Sequence, residues 1–440
     1  ILNKFSKKYN QNKWIFDIRN NKSVNELFRY QDLSSLVKIG VVTPDHVIRT
    51  KSKILLLKEY ENNSFDKIEK WVKDTEKALE NYIEEYQIYF ENNNLEVNNS
   101  KKPLDPLPRL ILIPRIGLIG LGNEKKSASI AADIGQAWIE TVLSACSIGT
   151  FKPVGEKDTF DLEYWSLEQA KLGKSKPPYL RGNVVAITGA GGAIGRAIAK
   201  EFYQAGAEIV SIDLNQKEAS LTADICGTNA LSIRCDITNK QDLENAFSEI
   251  IKNFGGLDIL ISNAGAAWEG SIANMCDLSF MKSMDLNLFA HFHASRKALS
   301  IFHAQDCGEN NKELILGGQI LFNISKQALN PGPNFGSYGI SKAALLALMR
   351  QISLEEGKNG VRANGINADR IKSGLLNSEM IKNRSISRGL SEEEYMSGNL
   401  LRSEVLAKDV GKAFLALALM EKTTGAIVTV DGGNVAAMVR

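Results

Sequence analysis

Tyr338 and Lys342 lie one helical turn apart in a segment that the apolar pattern predicts to be a helix, residues 338–355. Side chains at this spacing share one face of a helix, so the phenol and the ammonium should be neighbours. A nearby cation stabilises a phenolate and lowers the phenol pKa from its ordinary value of about 10. The pair therefore predicts that Tyr338 acts as an acid or a base in proton transfer.

Two further polar residues can serve the same reaction. Ser325 ends a predicted strand, where its hydroxyl can hold the reacting oxygen against Tyr338. Asn287 lies in a predicted amphipathic helix and can anchor a water that relays a proton from Lys342. Taken singly, a serine at a strand end and an asparagine inside a helix are more often structural, so the prediction depends on all four residues converging.

A glycine-rich turn follows the first predicted strand, 184–188, and precedes a helix. Glycines allow the backbone to approach a pyrophosphate, and free N–H groups at the helix start favour its negative charge. The turn residues predicted to bind a dinucleotide are Gly189, Gly191, Gly192, Ala193, Ile194 and Gly195. A plain tight turn is the structural alternative.

Polar and small residues at the ends of the next strands extend this cofactor site. Asp213 closes the second strand, where a carboxylate can accept both ribose hydroxyls and repel a 2′-phosphate, which predicts NAD rather than NADP. A helix N-cap is the alternative for Asp213. The third and fourth strands are followed by the other predicted cofactor-binding residues, Asp236, Ile237, Asn263, Ala264 and Gly265. Those positions can also be occupied by ordinary turn residues.

Such a site needs strands that end at one common edge. After residue 182, short apolar runs alternate with amphipathic segments, which is the pattern of βαβ units in a parallel sheet. The predicted strands are 184–188, 208–213, 231–236, 257–262, 319–325, 361–367 and 426–430. They predict an α/β fold with a doubly wound, seven-stranded Rossmann sheet in residues 182–440.

The 440 residues exceed what one hydrophobic core usually organises, so a second domain is expected. Residues 1–150 predict a smaller α/β domain with a helix over 64–92 that begins at an N-cap, Ser64, a strand over 110–119 and a helix over 128–147. Residues 151–181 are rich in Lys, Gly and Pro and predict a partly docked linker.

Composition limits the possible partners. The 53 Lys and Arg residues nearly balance the 51 Asp and Glu residues, which argues against nucleic acid. The longest apolar stretch, 413–420, is far shorter than the roughly 20 residues of a membrane span, which predicts a soluble protein without a membrane partner. Five cysteines without paired spacing indicate reduced thiols and a cytoplasmic location. Because the chain starts at Ile1 without a signal-peptide pattern, we expect a fragment or a processed chain.

The motifs TGAGGAIG, SNAG, the tyrosine and lysine pair and VDGG, taken in order, resemble the short-chain dehydrogenase/reductase superfamily. The resemblance implies hydride transfer between the nicotinamide C4 atom and a carbonyl or alcohol carbon. It implies that Tyr338 is the acid or base, that Ser325 positions the substrate, that Lys342 also binds the nicotinamide ribose and that Asn287 supports the proton relay. It also implies a homodimer or homotetramer and a lid over a small-molecule substrate at 373–396.

The chain departs from the superfamily pattern at two places. Ala193 replaces a usual glycine of the turn, which is tolerable if its φ angle is negative. The sequence Ala368-Asp369-Arg370 stands where the family has Pro-Gly, in a loop that contacts nicotinamide in other members. Because of this second departure, the sequence does not predict whether the loop contacts nicotinamide here.

Segments 43–51, 160–171, 323–338 and 398–401 are similar to the bifunctional aldolase/short-chain dehydrogenases of rhamnose catabolism. That resemblance implies a zinc-dependent class II aldolase domain for rhamnulose-1-phosphate, followed by oxidation of lactaldehyde. Zinc chemistry of this kind needs about three imidazoles and a carboxylate base. The first 180 residues contain only His46, so we expect a truncated aldolase-like fragment and predict no metal site. His291 and His293 are expected to be packing or solvent residues.

The leading hypothesis is therefore an NAD-dependent oxidoreductase that acts on a small hydroxy-aldehyde or alcohol. A zinc-dependent sugar-phosphate aldolase is the first alternative, and it would need a segment before Ile1 to complete the metal site. A non-catalytic NAD-binding scaffold is the second alternative, suggested by the altered loop at Ala368-Asp369.

Overall fold

The computed structural model describes residues 13–60, 65–170, 177–305 and 317–434, together with residues 1, 2, 5 and 9. The chain divides into two compact units, one comprising residues 1–182 and 252–255 and the other comprising residues 183–251 and 256–440. No helix within these described ranges is both long and apolar enough to cross a membrane.

A four-stranded sheet forms the centre of the first unit. Its strands are β1 (Ile15–Arg19), β2 (Leu55–Leu56), β3 (Leu110–Ile113) and β4 (Gly117–Gly122), in the spatial order β1-β4-β3-β2. β3 and β4 pair as an antiparallel hairpin, so the single strand predicted over 110–119 is wrong. The chain turns at Arg115, whose φ angle is 65°. An unbroken apolar composition on both sides of this residue hides the turn in the sequence.

Helices cover both faces of this sheet. They are α1 (Lys22–Leu27), α2 (Leu33–Leu36), α3 (Val47–Thr50), α4 (Phe65–Glu96) and α5 (Lys125–Ile148). Because successive side chains of a strand point to opposite faces, Leu110 and Leu112 of β3 pack with α5, whereas Ile111 and Ile113 pack with α4. The predicted helices over 64–92 and 128–147 are confirmed by α4 and α5. Ser64, the predicted N-cap, lies outside the described residues.

The segment predicted as a linker, 151–181, differs from that expectation because it contains two helices. These are α6 (Glu156–Glu163) and α7 (Ser166–Ala170). Phe160 and Tyr164 bury their rings in a cluster with aromatic residues of α4. The burial of these rings outweighs the Lys, Gly and Pro content that predicted a linker. Residues 171–176, the centre of the predicted linker, lie outside the described part of the chain.

A seven-stranded parallel sheet forms the second unit and confirms the predicted fold class. Its strands are β5 (Val184–Thr188), β6 (Glu208–Asp213), β7 (Leu231–Arg234), β8 (Ile259–Ser262), β9 (Gln319–Asn323), β10 (Arg362–Ala368) and β11 (Ile427–Val430). Their spatial order is β11-β10-β9-β8-β5-β6-β7. The strand order reverses between β5 and β8. The carboxyl ends of these two strands therefore form the topological switch point at which such sheets bind ligands.

Helices connect these strands and cover both faces of the sheet. They are α8 (Ala193–Gln204), α9 (Gln216–Ile225), α10 (Lys240–Phe254), α11 (Asp277–Met284), α12 (Ala290–Gln305), α13 (Gly336–Glu356), α14 (Ser378–Ile386), α15 (Glu392–Met396) and α16 (Ala407–Leu419). Every residue of the central strands β5 and β8 is buried, as expected of strands with helices on both sides. These central strands carry the loops that hold the predicted site.

Candidate active site

The glycine-rich turn leaves β5 and enters α8. Gly189 has a φ angle of 63°, and a Cβ atom there would lie 2.8 Å from the Ala264 Cα atom, so only glycine fits. Gly192 is the N-cap of α8 and provides no side-chain cap, which leaves N–H groups of the first turn available to an anion. Ala193 is the first helical residue and its φ angle is not positive, so alanine is accommodated at this departure from the family pattern. Ile194 and Gly195 follow in the same first turn.

Asp213 ends β6 beside this turn. One oxygen of its carboxylate, Oδ2, accepts a hydrogen bond from the Gly191 N–H at 2.9 Å, and the other, Oδ1, accepts from the Asn215 N–H at 2.9 Å. The neighbouring guanidinium of Arg196 is held by Glu218 at 2.8 Å and by the Gly191 carbonyl at 3.0 Å. The carboxylate is thus fixed at the corner where the sequence predicts the adenosine ribose.

The Asn263-Ala264-Gly265 turn after β8 is hydrogen-bonded to the end of β5. The Thr188 hydroxyl accepts hydrogen bonds from the N–H groups of Asn263 at 3.0 Å and Ala264 at 3.2 Å. The Asn263 side-chain amide donates to the carbonyls of Thr188 and Gly189 at 3.0 and 3.1 Å. Sequence reasoning missed Thr188, although a polar residue ending an apolar strand directly before the glycine turn is a usable signal.

Asp236 and Ile237 occupy a separate turn at the end of β7. The strand ends at Arg234, two residues earlier than predicted, and the Asp236 carboxylate accepts hydrogen bonds from the N–H and hydroxyl of Thr238 at 2.9 and 2.7 Å. Ile237 is buried. The described hydrogen bonds join neither residue to Asp213 or Gly191, so their predicted role in cofactor binding remains a prediction.

Tyr338 and Ser325 meet at the carboxyl edge of the sheet. Tyr338 lies in the first turn of α13 and is buried. Ser325 was predicted to end the strand, but β9 ends two residues earlier, and the Ser325 hydroxyl instead accepts from the Gln327 N–H at 3.3 Å to cap a short 3₁₀ helix, Lys326–Ala328. The Ser325 side chain is near enough to the Tyr338 phenol to lower the phenol pKa by hydrogen bonding.

The predicted lowering of the Tyr338 pKa is wrong in direction for this state of the site. Burial raises the pKa of Tyr338 to about 12, and the hydrogen bond with Ser325 offsets only part of that rise. The Lys342 ammonium lies 5.8 Å from the centre of the phenol ring. Burial also lowers the pKa of Lys342 to about 7, so the cation itself is costly to form here. Desolvation is the largest cause of the pKa shift of each group.

Asn287 occupies a π-helical turn, Asp285–Phe289, between α11 and α12, where the sequence predicted continuous helix. Its side chain is fully engaged: the amide donates to the carbonyls of Ala266 and Ser283 at 2.8 and 3.1 Å, and its oxygen accepts from the Ala266 N–H at 3.2 Å. A Cβ atom on Gly265 would lie 2.9 Å from the Asn287 side-chain oxygen and 3.6 Å from Lys342 Nζ. Glycine at 265 therefore keeps space open between these two residues.

The histidines do not assemble a metal site. His291 is fully buried, its Nδ1 atom lies 2.5 Å from the Ser262 hydroxyl, and burial lowers its pKa to about 3, so it packs as a neutral ring. In the first unit, His46 lines a small cavity with Thr50, Lys51 and Trp138. Among the described residues, no group of three or more His, Cys, Asp and Glu side chains is arranged to hold a metal.

The loop that replaces the family's Pro-Gly is held by side chains of its own. The Asp369 carboxylate accepts a hydrogen bond from the Asn434 amide at 2.5 Å and lies 3.9 Å from Lys326 Nζ. Arg370, with a φ angle of 54°, donates to the Tyr395 carbonyl at 2.7 Å and stacks over the Tyr395 ring. The departure thus anchors the loop to the segment that the sequence predicts to be a lid.

Comparison with known proteins agrees with this geometry. Residues 183–384 match the family described as short chain dehydrogenase, and residues 1–172 match the family described as aldolase class II, second domain. The 7alpha-hydroxysteroid dehydrogenase of Escherichia coli strain K12 is 32% identical over 58% of this chain and 95% of its own length. The chain belongs to the short-chain dehydrogenase family. It is an oxidoreductase of that family with an aldolase-like first part.

Further similar proteins extend the comparison. The uncharacterized oxidoreductase YuxG of Bacillus subtilis strain 168 is 29% identical over 98% of this chain, which spans 62% of the length of YuxG. Two solved structures share the fold of the second unit at 23% identity. The first is a short-chain type dehydrogenase/reductase from Mycobacterium marinum, with a TM-score of 0.51 over 57% of this chain and 95% of that chain. The second is 3-ketoacyl-(acyl-carrier-protein) reductase from Brucella melitensis complexed with NADH, with a TM-score of 0.50 over 57% of this chain and 98% of that chain.

Proposed function

We propose that this chain transfers a hydride between NAD and a carbonyl or hydroxyl carbon of a small hydroxy-aldehyde or alcohol. The observation that carries the proposal is the buried Tyr338 phenol at the carboxyl edge of the sheet, with its ring centre 5.8 Å from the Lys342 ammonium and with Ser325 beside it. A buried phenol and hydroxyl at the edge where the family binds its cofactor are suited to handling one substrate oxygen.

The cofactor supplies the carbon that accepts or gives the hydride. In alcohol oxidation, Tyr338 removes the hydroxyl proton while Ser325 holds the same oxygen. In carbonyl reduction, the neutral phenol donates its proton to the developing alkoxide, and burial favours that neutral form because it raises the pKa of Tyr338. Lys342 supports the phenolate and binds the nicotinamide ribose, and Asn287 supports the proton relay beside the space that Gly265 leaves open.

Three features support NAD as the cofactor. The backbone at Gly189 and the uncapped start of α8 fit a pyrophosphate. The Asp213 carboxylate, held by Gly191 and Asn215, would repel a 2′-phosphate. Arg196, a cation beside this turn that could attract that phosphate, is already paired with Glu218. One solved relative was determined with NADH. The other predicted cofactor contacts, Asp236 and Ile237, form part of the same proposal.

The cofactor choice has a direct test in Asp213→Ser. Removing the negative charge should lower the ratio of kcat/KM with NAD to kcat/KM with NADP by at least about tenfold, which corresponds to about 1.4 kcal/mol. Glu218→Gln, which frees Arg196 but keeps Asp213, is the matched comparison and should raise NADP use by less. An unchanged cofactor ratio in Asp213→Ser contradicts the NAD assignment.

Substrate size is proposed from the resemblance to lactaldehyde-oxidising enzymes. The predicted lid does not offer all its apolar residues to a substrate, because Leu376, Met380 and Met396 pack with one another and with Ile381 and Tyr395. Turnover is tested by following NADH absorbance with lactaldehyde and a panel of small polyols. Tyr338→Phe should reduce kcat at least about 10²-fold while NADH binding persists. Absence of any wild-type turnover above Tyr338→Phe would favour the non-catalytic scaffold.

A second candidate activity is that of a zinc-dependent sugar-phosphate aldolase. The match of residues 1–172 to the aldolase family and the position of His46 on a cavity favour it. One histidine does not fit a zinc ion on its own, because such sites need about three nitrogen or oxygen ligands from the protein. Further ligands would have to come from outside the described residues. Metal analysis of the purified protein tests this activity. A zinc content below about a tenth of an equivalent per chain argues against it.

We also propose that the chain self-associates as a homodimer or homotetramer through α11, α12 and α13. Large apolar side chains on these helices and on the π-helical turn between α11 and α12 are exposed in the single chain, namely Leu278, Met281, Phe289, Phe292 and Ile340. Exposed clusters of this kind usually mark an interface. Light scattering after gel filtration tests the proposal, and Phe292→Glu should shift the mass towards the monomer. The four described cysteines are unpaired, in keeping with the proposed cytoplasmic location.

A further inference from the structure

Lys342 is held in place by one backbone carbonyl. Its ammonium is buried and donates to the Asn323 carbonyl at 2.8 Å, which is the single described hydrogen bond that it makes. An ammonium has three donors, so two remain for ligands. The position of the Asn323 carbonyl therefore determines where these two donors point.

Strand geometry explains why this carbonyl is available. In a parallel strand, successive residues direct their N–H and C=O groups to alternate neighbours. Ile324 bonds to Ile366 of β10 at 2.9 Å, so Asn323 faces β8 instead. The pairing between β8 and β9 ends at Ser262 and Phe322, one residue before Asn323. The Asn323 carbonyl thus lies beyond the end of β8, and Lys342 takes the place of a strand partner.

The Asn323 side chain continues the connection towards the cofactor turn. Its amide donates to the Asn263 side-chain oxygen at 2.9 Å, and the Asn263 amide donates to the carbonyls of Thr188 and Gly189. Those two carbonyls can only accept, which fixes the orientation of the Asn263 amide and makes its oxygen the acceptor for Asn323. An unbroken chain of hydrogen bonds runs from the glycine-rich turn to the lysine.

We propose that Asn323 is a positioning residue that holds Lys342 in register with the glycine-rich turn, so that the cofactor site and the proton-transfer site are set by one connection. The inference rests on the proposed function, in which Lys342 binds the nicotinamide ribose and supports the Tyr338 phenolate. Asn323 acts on other residues, through its carbonyl on Lys342 and through its amide on Asn263.

The decisive measurement is the titration midpoint of Lys342, read by NMR of protein labelled with ¹³C-lysine and assigned by the signal missing in Lys342→Arg. Asn323→Ala keeps the carbonyl but leaves it free to move, so the carbonyl stabilises the charged form of Lys342 less well. The titration midpoint should therefore fall by about half a pH unit. Asn323→Asp keeps the volume and adds a negative charge, so it should raise the midpoint. Opposite shifts are the expected result.

Asn364→Ala is the matched control. Asn364 is also a sheet asparagine, and its side chain bonds only to backbone, at the Thr423 carbonyl and the Ala426 N–H. It should lower the melting temperature as much as Asn323→Ala without moving the Lys342 midpoint. Should either Asn323 variant fail to fold, the other still gives the sign of the shift. Midpoints equal to wild type in both Asn323 variants would overturn the proposal.

Turnover separates this inference from the proposed function. With wild-type activity present, Asn323→Ala should reduce kcat about tenfold with a smaller change in substrate KM, and Asn263→Ala should add little further loss in the double variant. Additive losses would contradict a connection through Asn263. If the wild type shows no turnover on any compound, the proposed function fails, while the NMR midpoints still decide whether Asn323 positions Lys342.

Discussion

Among the described residues, each unit of the molecule buries one lysine, and the two lysines differ in what surrounds them. Lys51 of the first unit contacts the Tyr86 hydroxyl at 2.8 Å and the Glu163 carboxylate at 3.2 Å, and Glu163 accepts from Tyr86 and Tyr89 as well. Lys342 of the second unit bonds to one carbonyl and faces no carboxylate within ion-pair distance among the described residues. Burial lowers the pKa of both lysines.

The difference supports the proposal that Lys51 has a structural role and Lys342 a functional one. The charge of Lys51 is neutralised by Glu163 inside a closed set of side chains, so its ammonium has a partner in the protein itself. The charge of Lys342 has no such partner, and its spare donors lie beside Gly265 and Tyr338. Perturbed lysines of the second kind are the ones that accept ligands or assist proton transfer.

The largest contrast should come from Lys342→Met. Removing the ammonium takes away the proposed support of the Tyr338 phenolate, and kcat/KM should fall by about 10²- to 10⁴-fold. The variant should be no less stable than wild type, because a desolvated amine without a carboxylate partner is replaced by an apolar side chain. NADH-coupled assays and urea unfolding measure both effects. Full activity in Lys342→Met would break the comparison.

Lys51→Met should show the reverse behaviour. It leaves the Glu163 carboxylate buried without its cation, which costs about 3 to 5 kcal/mol of unfolding free energy. The expected measurement is a lower urea midpoint for the first unit. Combining Lys51→Met with Glu163→Gln removes both charges and should recover much of the loss. A double variant as unstable as Lys51→Met would argue against the ion pair as the cause.

His291 sharpens the comparison through pH. Its folded pKa is about 3, well below the ordinary value of 6.5, so the unfolded chain binds a proton that the folded chain excludes. Stability is therefore complete above pH 6.5 and decreases as pH falls towards 3, by up to about 1.4 kcal/mol per pH unit. Unfolding measured from pH 7 to 4 should show this slope relative to His291→Phe. Parallel curves for the two proteins would contradict it.

The smallest expected effect belongs to Gly265→Ala. The new methyl would lie 2.9 Å from the Asn287 oxygen and 3.6 Å from Lys342 Nζ, so a side chain must shift by a few tenths of an ångström. We expect about a tenfold loss in kcat, since a misplaced proton path costs about 1.4 kcal/mol. Gly357→Ala, where a methyl would meet open space, is the control. Equal activity of both variants would show that the space is not used.

The sequence was most informative where a periodic pattern has one structural solution. Alternating apolar runs and amphipathic segments predicted all seven strands of the parallel sheet, with end positions within two residues of those observed. It was least informative at turns and in mixed composition. The hairpin at Arg115 is invisible in a continuous apolar run, and α6 forms in a Lys-rich segment because Phe160 and Tyr164 find an aromatic cluster elsewhere in the chain.

Residue types and their order alone indicated the fold, the edge of the sheet at which the site lies, and Ser325, Tyr338, Lys342 and Asn287 as candidates, because helix and strand periods place such residues predictably. Tertiary structure decided their electrostatics. Burial, which no spacing reports, raises the pKa of Tyr338 and lowers that of Lys342. Tertiary structure also revealed the hydrogen-bonding residues Asn323 and Thr188, because hydrogen bonds between strand ends that are distant in sequence exist only after the sheet has formed.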